Sequence, residues 1–175
     1  AFCRTTDRGE TWELLSTLAT DHEMSETAVA QLHDGRLVMV ARPEGDIAWS
    51  SDGGRTWTPP QPLGVRLFEP RLITLRDGTL LCLHGSYGAG GLRAMFSTDG
   101  GETWIAPNEQ YGFPVDPSVY GYGQAVELED GSVWAAYIHS GGHTTQDART
   151  EALWSIRLRV RPDHGGIDLL PAPGS

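Results

Sequence analysis

The 175 residues carry 23 acidic and 13 basic side chains, a net charge of −10 with histidine neutral, and hydrophobic residues make up 39%. That balance excludes a nucleic-acid binder working through a basic stripe, and gives no long-range attraction for an anionic ligand, which would need local arginines. The 22 glycines and 11 prolines suit many short strands joined by tight turns, and apolar runs such as 133–138 are far too short to span a bilayer.

In chain order, residues 1–5 lead into Thr5-Thr6-Asp7-Arg8-Gly9-Glu10-Thr11-Trp12, and residues 11–18 leave it as a strand. Residues 26–32 form the next strand, followed by the turn His33-Asp34-Gly35 and the β-branched, apolar strand 36–41. Residues 46–49 lead into Ser50-Ser51-Asp52-Gly53-Gly54-Arg55-Thr56-Trp57. The order then repeats: strand 70–75, turn Arg76-Asp77-Gly78, strand 79–84, and residues 91–96 entering Ser97-Thr98-Asp99-Gly100-Gly101-Glu102-Thr103-Trp104. After a Pro- and Gly-rich loop at 106–118 come strand 123–128, turn Glu129-Asp130-Gly131, strand 132–138, a polar loop at 139–149 and strand 152–160. No stretch carries a sustained helical period.

Two repeats are therefore interleaved. The box Ser/Thr-x-Asp-x-Gly-x-Thr-Trp occurs with its aspartates 45 and 47 residues apart, and Leu-x-Asp-Gly occurs at 32, 75 and 128. Asp-Gly between strand-like runs is a strong hairpin signal. Each unit reads as strand, Asp-Gly hairpin, strand, loop, strand, box, strand, and four antiparallel strands in about 45 residues is the size of a propeller blade. The expected divisions are the end of a blade at 1–20, blades at 21–63 and 64–110, a last blade at 111–162 and a loose tail at 163–175.

The chemistry of the box is local. Asp7, Asp52 and Asp99 can accept backbone N–H bonds from their own turns, Gly9, Gly54 and Gly101 can supply positive φ, and the Ser/Thr hydroxyl can close the turn. Trp12, Trp57 and Trp104 are expected to pack into the blades. A sugar-binding role for these residues is the lesser alternative. Each box brings one carboxylate and no histidine, so no metal site is expected.

The boxes resemble the Asp-boxes, or bacterial neuraminidase repeats, of the sialidase superfamily. The resemblance implies an all-β fold, a six-bladed β-propeller of four-stranded antiparallel blades, with about three to four blades in this chain. It covers nearly all of the chain but only the later half of the family's domain. An Arg-Ile-Pro type motif and an early-blade aspartate acid/base belong to the family pattern and do not occur here, so the earlier blades are expected elsewhere, and no turnover is expected from these 175 residues alone.

The innermost strand of each blade lines the axis, and the Asp-Gly hairpin ends that strand. Counting eight residues back from Asp34, Asp77 and Asp130 reaches Glu26, Glu69 and Tyr122, three large polar side chains at one repeated position. Tyr120 would share the face of Tyr122 in an extended strand. The family resemblance implies Tyr122 as nucleophile, Glu26 as the base for it, and Arg42 and Arg93 as a clamp on the substrate carboxylate, with Arg71 a rival better suited to packing or ion pairing. Glu69 is expected to bind substrate or pair with an arginine. The residue types fit the chemistry. Sialic acid carries a carboxylate at its anomeric carbon, which repels an anionic nucleophile and favours a neutral tyrosine hydroxyl. Arginine grips a carboxylate through two-point hydrogen bonds.

His84, His139 and His143 are candidates for the pocket mouth, with surface loops the alternative. Cys3 and Cys82 are expected to be buried free thiols. The expected partner is a glycan bearing sialic acid or another acidic sugar, with no cofactor, no nucleic acid and no membrane span. The alternatives are a different exo-glycosidase on this fold and a non-catalytic Asp-box propeller that binds glycan or protein. The resemblance suggests a secreted or periplasmic protein.

Overall fold

The computed structural model describes residues 1–106, 111–117, 122–138 and 153–171. Fourteen strands are present and no helix among these residues. β1 (Phe2–Arg4) and β2 (Glu13–Ser16) form a two-stranded sheet. The second sheet runs β3 (Ser25–Gln31), β4 (Leu37–Arg42), β5 (Asp46–Ser50) and β6 (Gln61–Pro62) in sequence order. The third holds β7 (Leu67–Thr74), β8 (Leu80–Ser86), β9 (Leu92–Ser97) and β10 (Phe113–Asp116). The last holds β11 (Gly123–Glu127), β12 (Val133–Ile138), β13 (Leu153–Val160) and β14 (Ile167–Leu170).

Every pairing is antiparallel. These are consecutive meander blades of a partial β-propeller. The first strands of the three full blades lie together, with β7 packed between β3 and β11.

The three Leu-x-Asp-Gly segments fold identically. Gly35, Gly78 and Gly131 donate their N–H to the carbonyls of Leu32, Leu75 and Leu128 at 2.9–3.0 Å. Asp34, Asp77 and Asp130 accept from the backbone N–H two residues on, at 2.9–3.0 Å. The glycines sit at φ +88°, +91° and +77°, the left-handed region that an L side chain adopts only under strain. The connection is thus a three-residue turn ending in a left-handed glycine.

The boxes also share one geometry. Asp52 Oδ1 accepts the N–H of Thr56 at 2.8 Å, Asp52 Oδ2 accepts the Thr56 hydroxyl at 2.6 Å, and the Ser50 hydroxyl donates to Asp52 while accepting from Gly54 N–H. Thr5, Asp7 and Thr11, and Ser97, Asp99 and Thr103, repeat these bonds. Bonds from the Thr56 hydroxyl and backbone hold the Asp52 carboxyl down at about 2, and those from Thr11 do the same for Asp7.

Two apolar clusters fill the spaces between blades. One joins Leu81, Leu83 and Phe96 of the third blade to Val133, Tyr137 and Leu158 of the last. The other joins Val38, Val40 and Trp49 of the second blade to Leu67, Leu80 and Met95 of the third. Trp49 Nε1–H also donates to the carbonyl of Gly100 inside the next blade's box, at 2.8 Å.

Several expectations change. β10 pairs with β9, so the segment from 113 belongs to the third blade rather than the last. β14 pairs with β13, so Ile167–Leu170 of the expected tail form the outer strand of the last blade. Both are edge strands, which need pairing on one side only and tolerate a residue such as Pro114 that composition reads as loop. Trp12 is 65% exposed, not packed into a blade, because its two-stranded sheet supplies no inner strands beneath the ring. Trp57 instead donates its N–H to Gly54 O and stacks on Phe2 at 4.2 Å, while Trp104 packs against the second cluster. Both cysteines are free, but only Cys82 is buried and Cys3 is exposed.

Candidate active site

Where β3 and β7 begin, each carries an irregularity at the same place. Ser25 pairs with Arg42 and Ala28 with Val40, so three steps on β3 meet two on β4. Phe68 pairs with Gly85 and Arg71 with Leu83, the same mismatch on β7. In each bulge sits a glutamate with positive φ: Glu26 at +47° and Glu69 at +51°. A non-glycine residue there costs about 1–2 kcal/mol, and bulges re-aim side chains next to functional sites. The two glutamates are those that counting back from Asp-Gly singles out.

Tyr122 immediately precedes β11, and its carbonyl accepts the N–H of Ile138 at 3.1 Å. Its hydroxyl donates to Glu26 Oε1 at 2.7 Å, across 96 residues of sequence. Arg42, the last residue of β4, donates Nη1–H to the same Oε1 at 3.0 Å. The backbone N–H of Glu69 donates to Glu26 Oε2 at 2.8 Å. One carboxylate is thus held from three blade elements. Its negative charge and hydrogen bond raise the Tyr122 hydroxyl above the ordinary phenol range, so the tyrosine rests neutral.

Glu26, Glu69 and Tyr122 open onto a cavity of about 630 Å³ that Arg71 and Gln124 also line; Arg42, bonded to Glu26, is not among its lining residues. Glu69 and Arg71 are each only 8% exposed. Burial pushes the Glu69 carboxyl up to about 7; the Arg71 charge opposes the rise and the Glu26 charge adds to it. Burial likewise lowers the Arg71 guanidinium, and its Nε and Nη2 have no hydrogen-bond partner among the described residues.

Glu26, Glu69, Tyr122 and Arg42 come together. Arg93 takes another position: on β9 it donates to the carbonyls of Gly90 and Gly112, both at 3.2 Å, and it is not among the cavity's lining residues. Arg71, whose mid-strand position suggested packing or ion pairing, is buried beside the Glu69 charge and also lines the cavity. Gln124, two residues past Tyr122 on β11, lines it too, and the alternation of a strand is the only sequence signal for it. His84 is fully buried on β8 rather than at a pocket mouth, and burial lowers its imidazole to about 4. His139, His143 and Tyr120 lie outside the described residues.

Residues 1–109 match the family model described as BNR repeat-like domain.
The chain belongs to the BNR repeat-like family.
Its fold is similar to that of a Dyadobacter fermentans protein of unknown function (TM-score 0.68, 22% identity, covering 87% of this chain and 43% of that one). It is similar to the Hadza microbial sialidase Hz136 (TM-score 0.64, 22% identity, 89% of this chain and 37% of that one). It is also similar to the K499G mutant of NanB sialidase from Streptococcus pneumoniae (TM-score 0.64, 18% identity, 95% of this chain and 27% of that one). The chain therefore spans less than half the length of each of these structures. No curated protein matches the chain. The family match makes this a BNR-repeat chain, and its likeness to these structures is one of propeller fold.

Proposed function

We propose that this BNR chain is the later part of a retaining exo-glycosidase of sialidase type. The bond from the Tyr122 hydroxyl to Glu26 at 2.7 Å carries the reading. A neutral phenol beside a carboxylate is a nucleophile with its base in place. As Tyr122 Oη attacks the anomeric carbon, its proton passes to Glu26 and the glycosidic bond breaks, leaving a tyrosyl-sugar intermediate; the handling of the leaving oxygen's proton falls to an acid from blades outside this chain. Water then attacks the anomeric carbon, its proton passing to that same group from outside this chain, and the sugar leaves as Glu26 returns the proton to the tyrosine. Because Glu26 already accepts from Arg42 and Glu69, taking up the proton disturbs a carboxylate whose geometry is fixed. Arg42 is the clamp residue nearest the site, with Arg93 its expected companion, and the substrate is a glycan ending in sialic acid or another acidic sugar.

One observation favours a second reading. Arg93 is engaged by Gly90 and Gly112, which leaves Arg42, itself bonded to Glu26, as the member of the expected clamp at the tyrosine, with Arg71 lining the cavity beside it. An exo-glycosidase for a less acidic sugar needs no more than that. The experiment is to assay the full-length protein on aryl glycosides of sialic acid, uronic acids and neutral sugars, with Tyr122→Phe alongside. The expected result is sialoside cleavage that falls at least about a thousandfold in Tyr122→Phe, the scale of losing a nucleophile. Equal activity in the variant overturns the tyrosine mechanism, and cleavage of neutral glycosides alone selects the second reading.

A further inference from the structure

A second cavity, of about 300 Å³, lies at the same end of the blades and is lined by Gly64, Arg66, Tyr87, Gly88 and Tyr111. Its place is fixed by the register of β7 and β8. Leu67 pairs with Ser86, so Arg66 and Tyr87 stand side by side just beyond the paired strands, and the Tyr87 N–H reaches the Arg66 carbonyl at 3.4 Å. Two links join it to the Glu26 site. The Phe68 ring, adjacent in sequence to Glu69, meets the Tyr87 ring edge-on at 4.9 Å between centroids. The loop that follows Arg42 supplies Glu44, which accepts from Arg66 Nε at 3.1 Å, and the carbonyl of Pro43, which accepts from Leu67 N–H at 3.0 Å.

The walls are built around glycines. A Cβ on Gly88 would come within 1.9 Å of the Tyr111 ring, and one on Gly85 within 2.1 Å of the Phe68 ring, so each aromatic is seated where only glycine leaves room. Tyr87 remains 46% exposed, a large ring facing outward beside a cavity. The Arg66 guanidinium lies 5.3 Å from the centre of that ring, and Glu44 balances its charge. Aromatic faces with hydrogen-bond donors and acceptors and no net charge suit an uncharged polyhydroxyl ring, not an anion.

We propose that this cavity is the subsite for the neutral sugar to which the cleaved terminal residue is attached, the pyranose ring lying against Tyr87 and Tyr111 with its hydroxyls on Arg66 and Glu44. The role rests on the glycosidase reading above; binding of a neutral sugar at Tyr87 does not.

The test uses the full-length protein and two sialosides that share a terminal residue, one on lactose and one on a methyl group. In Tyr87→Ala and in Arg66→Ala, kcat/KM for the lactose conjugate is expected to fall about tenfold, the scale of one lost stacking or charge-assisted contact. For the methyl glycoside it should stay within about twofold of wild type. Tyr87→Phe, which keeps the ring, should retain most of the activity. In parallel, ligand-observed NMR with free lactose should show binding to wild type and to Tyr122→Phe, and loss of binding in Tyr87→Ala. Equal losses on both substrates, or no loss on either, overturn the subsite, as does lactose binding that survives Tyr87→Ala and Arg66→Ala alike. If Tyr122→Phe keeps full activity while lactose binding still depends on Tyr87, the tyrosine mechanism falls and the sugar subsite stands.

Discussion

Glu26 accepts hydrogen bonds from Tyr122, Arg42 and the backbone of Glu69, whereas Glu69, in the equivalent bulge, is buried with no partner for Oε2 among the described residues. Identical residue types at one repeated position thus have different partners. The consequence for Glu69 has a definite sign. Its carboxyl sits at about 7 in the fold against an ordinary 4.5, because burial disfavours the anion. A raised value means that the folded state keeps a proton the unfolded chain has released. The stability contributed is full below about 4.5 and is lost as pH rises through about 7. Urea midpoints of wild type and Glu69→Gln should therefore diverge as pH rises from 4.5 to 8, with wild type losing ground; a constant difference across that range would contradict the assignment. The box serine is a second test at this scale. Ser97 is fully buried, accepts from Gly101 N–H at 2.8 Å and donates to Asp99 at 2.7 Å. Ser97→Ala leaves buried partners unsatisfied and should cost about 1–3 kcal/mol in denaturant unfolding.

At the scale of the element, the bulge is what matters. In a regular ladder Glu26 would stand opposite Ala41 with its neighbours alternating between faces; the extra residue turns it toward Tyr122 and Glu69 instead. Deleting Thr27 restores equal spacing between Ser25 and Ala28 and their partners on β4. The fold should persist by circular dichroism, while activity of the full-length protein should drop by about a hundredfold or more, since misplacing a reacting group by an ångström has that effect. Retained activity would show that the bulge does not position Glu26.

For the whole molecule, the blades are coupled by the two apolar clusters and by bonds that cross from one blade to the next box. Ser16 donates to Gly54 O at 2.6 Å and Trp49 to Gly100 O at 2.8 Å. The boxes are thus both local turns and attachment points for the preceding blade. Trp49→Phe keeps an aromatic ring but leaves the Gly100 carbonyl without that donor, and should lower stability by about 1–3 kcal/mol. A drop in the denaturation midpoint is expected, with one cooperative transition retained; an unchanged midpoint would show that this bond does not couple the blades.

The sequence by itself determined the order of strands and turns in three successive blades. The Asp-Gly hairpins and Asp-boxes depend on side chains that bond their own backbone within four residues, so their geometry is written locally. The same ruler placed Glu26, Glu69 and Tyr122 at one level, because equal offsets from equivalent turns reach equivalent heights on parallel-stacked blades. Only the tertiary structure decided which of those side chains meet, because Tyr122 and Glu26 are 96 residues apart in sequence and touch only when the blades pack. It also decided that Arg93 turns to the Gly90 and Gly112 carbonyls and that His84 is buried. Those outcomes depend on which neighbouring surface each strand receives. Burial of that kind is a property of the assembled sheets, and no pattern within a single strand encodes it.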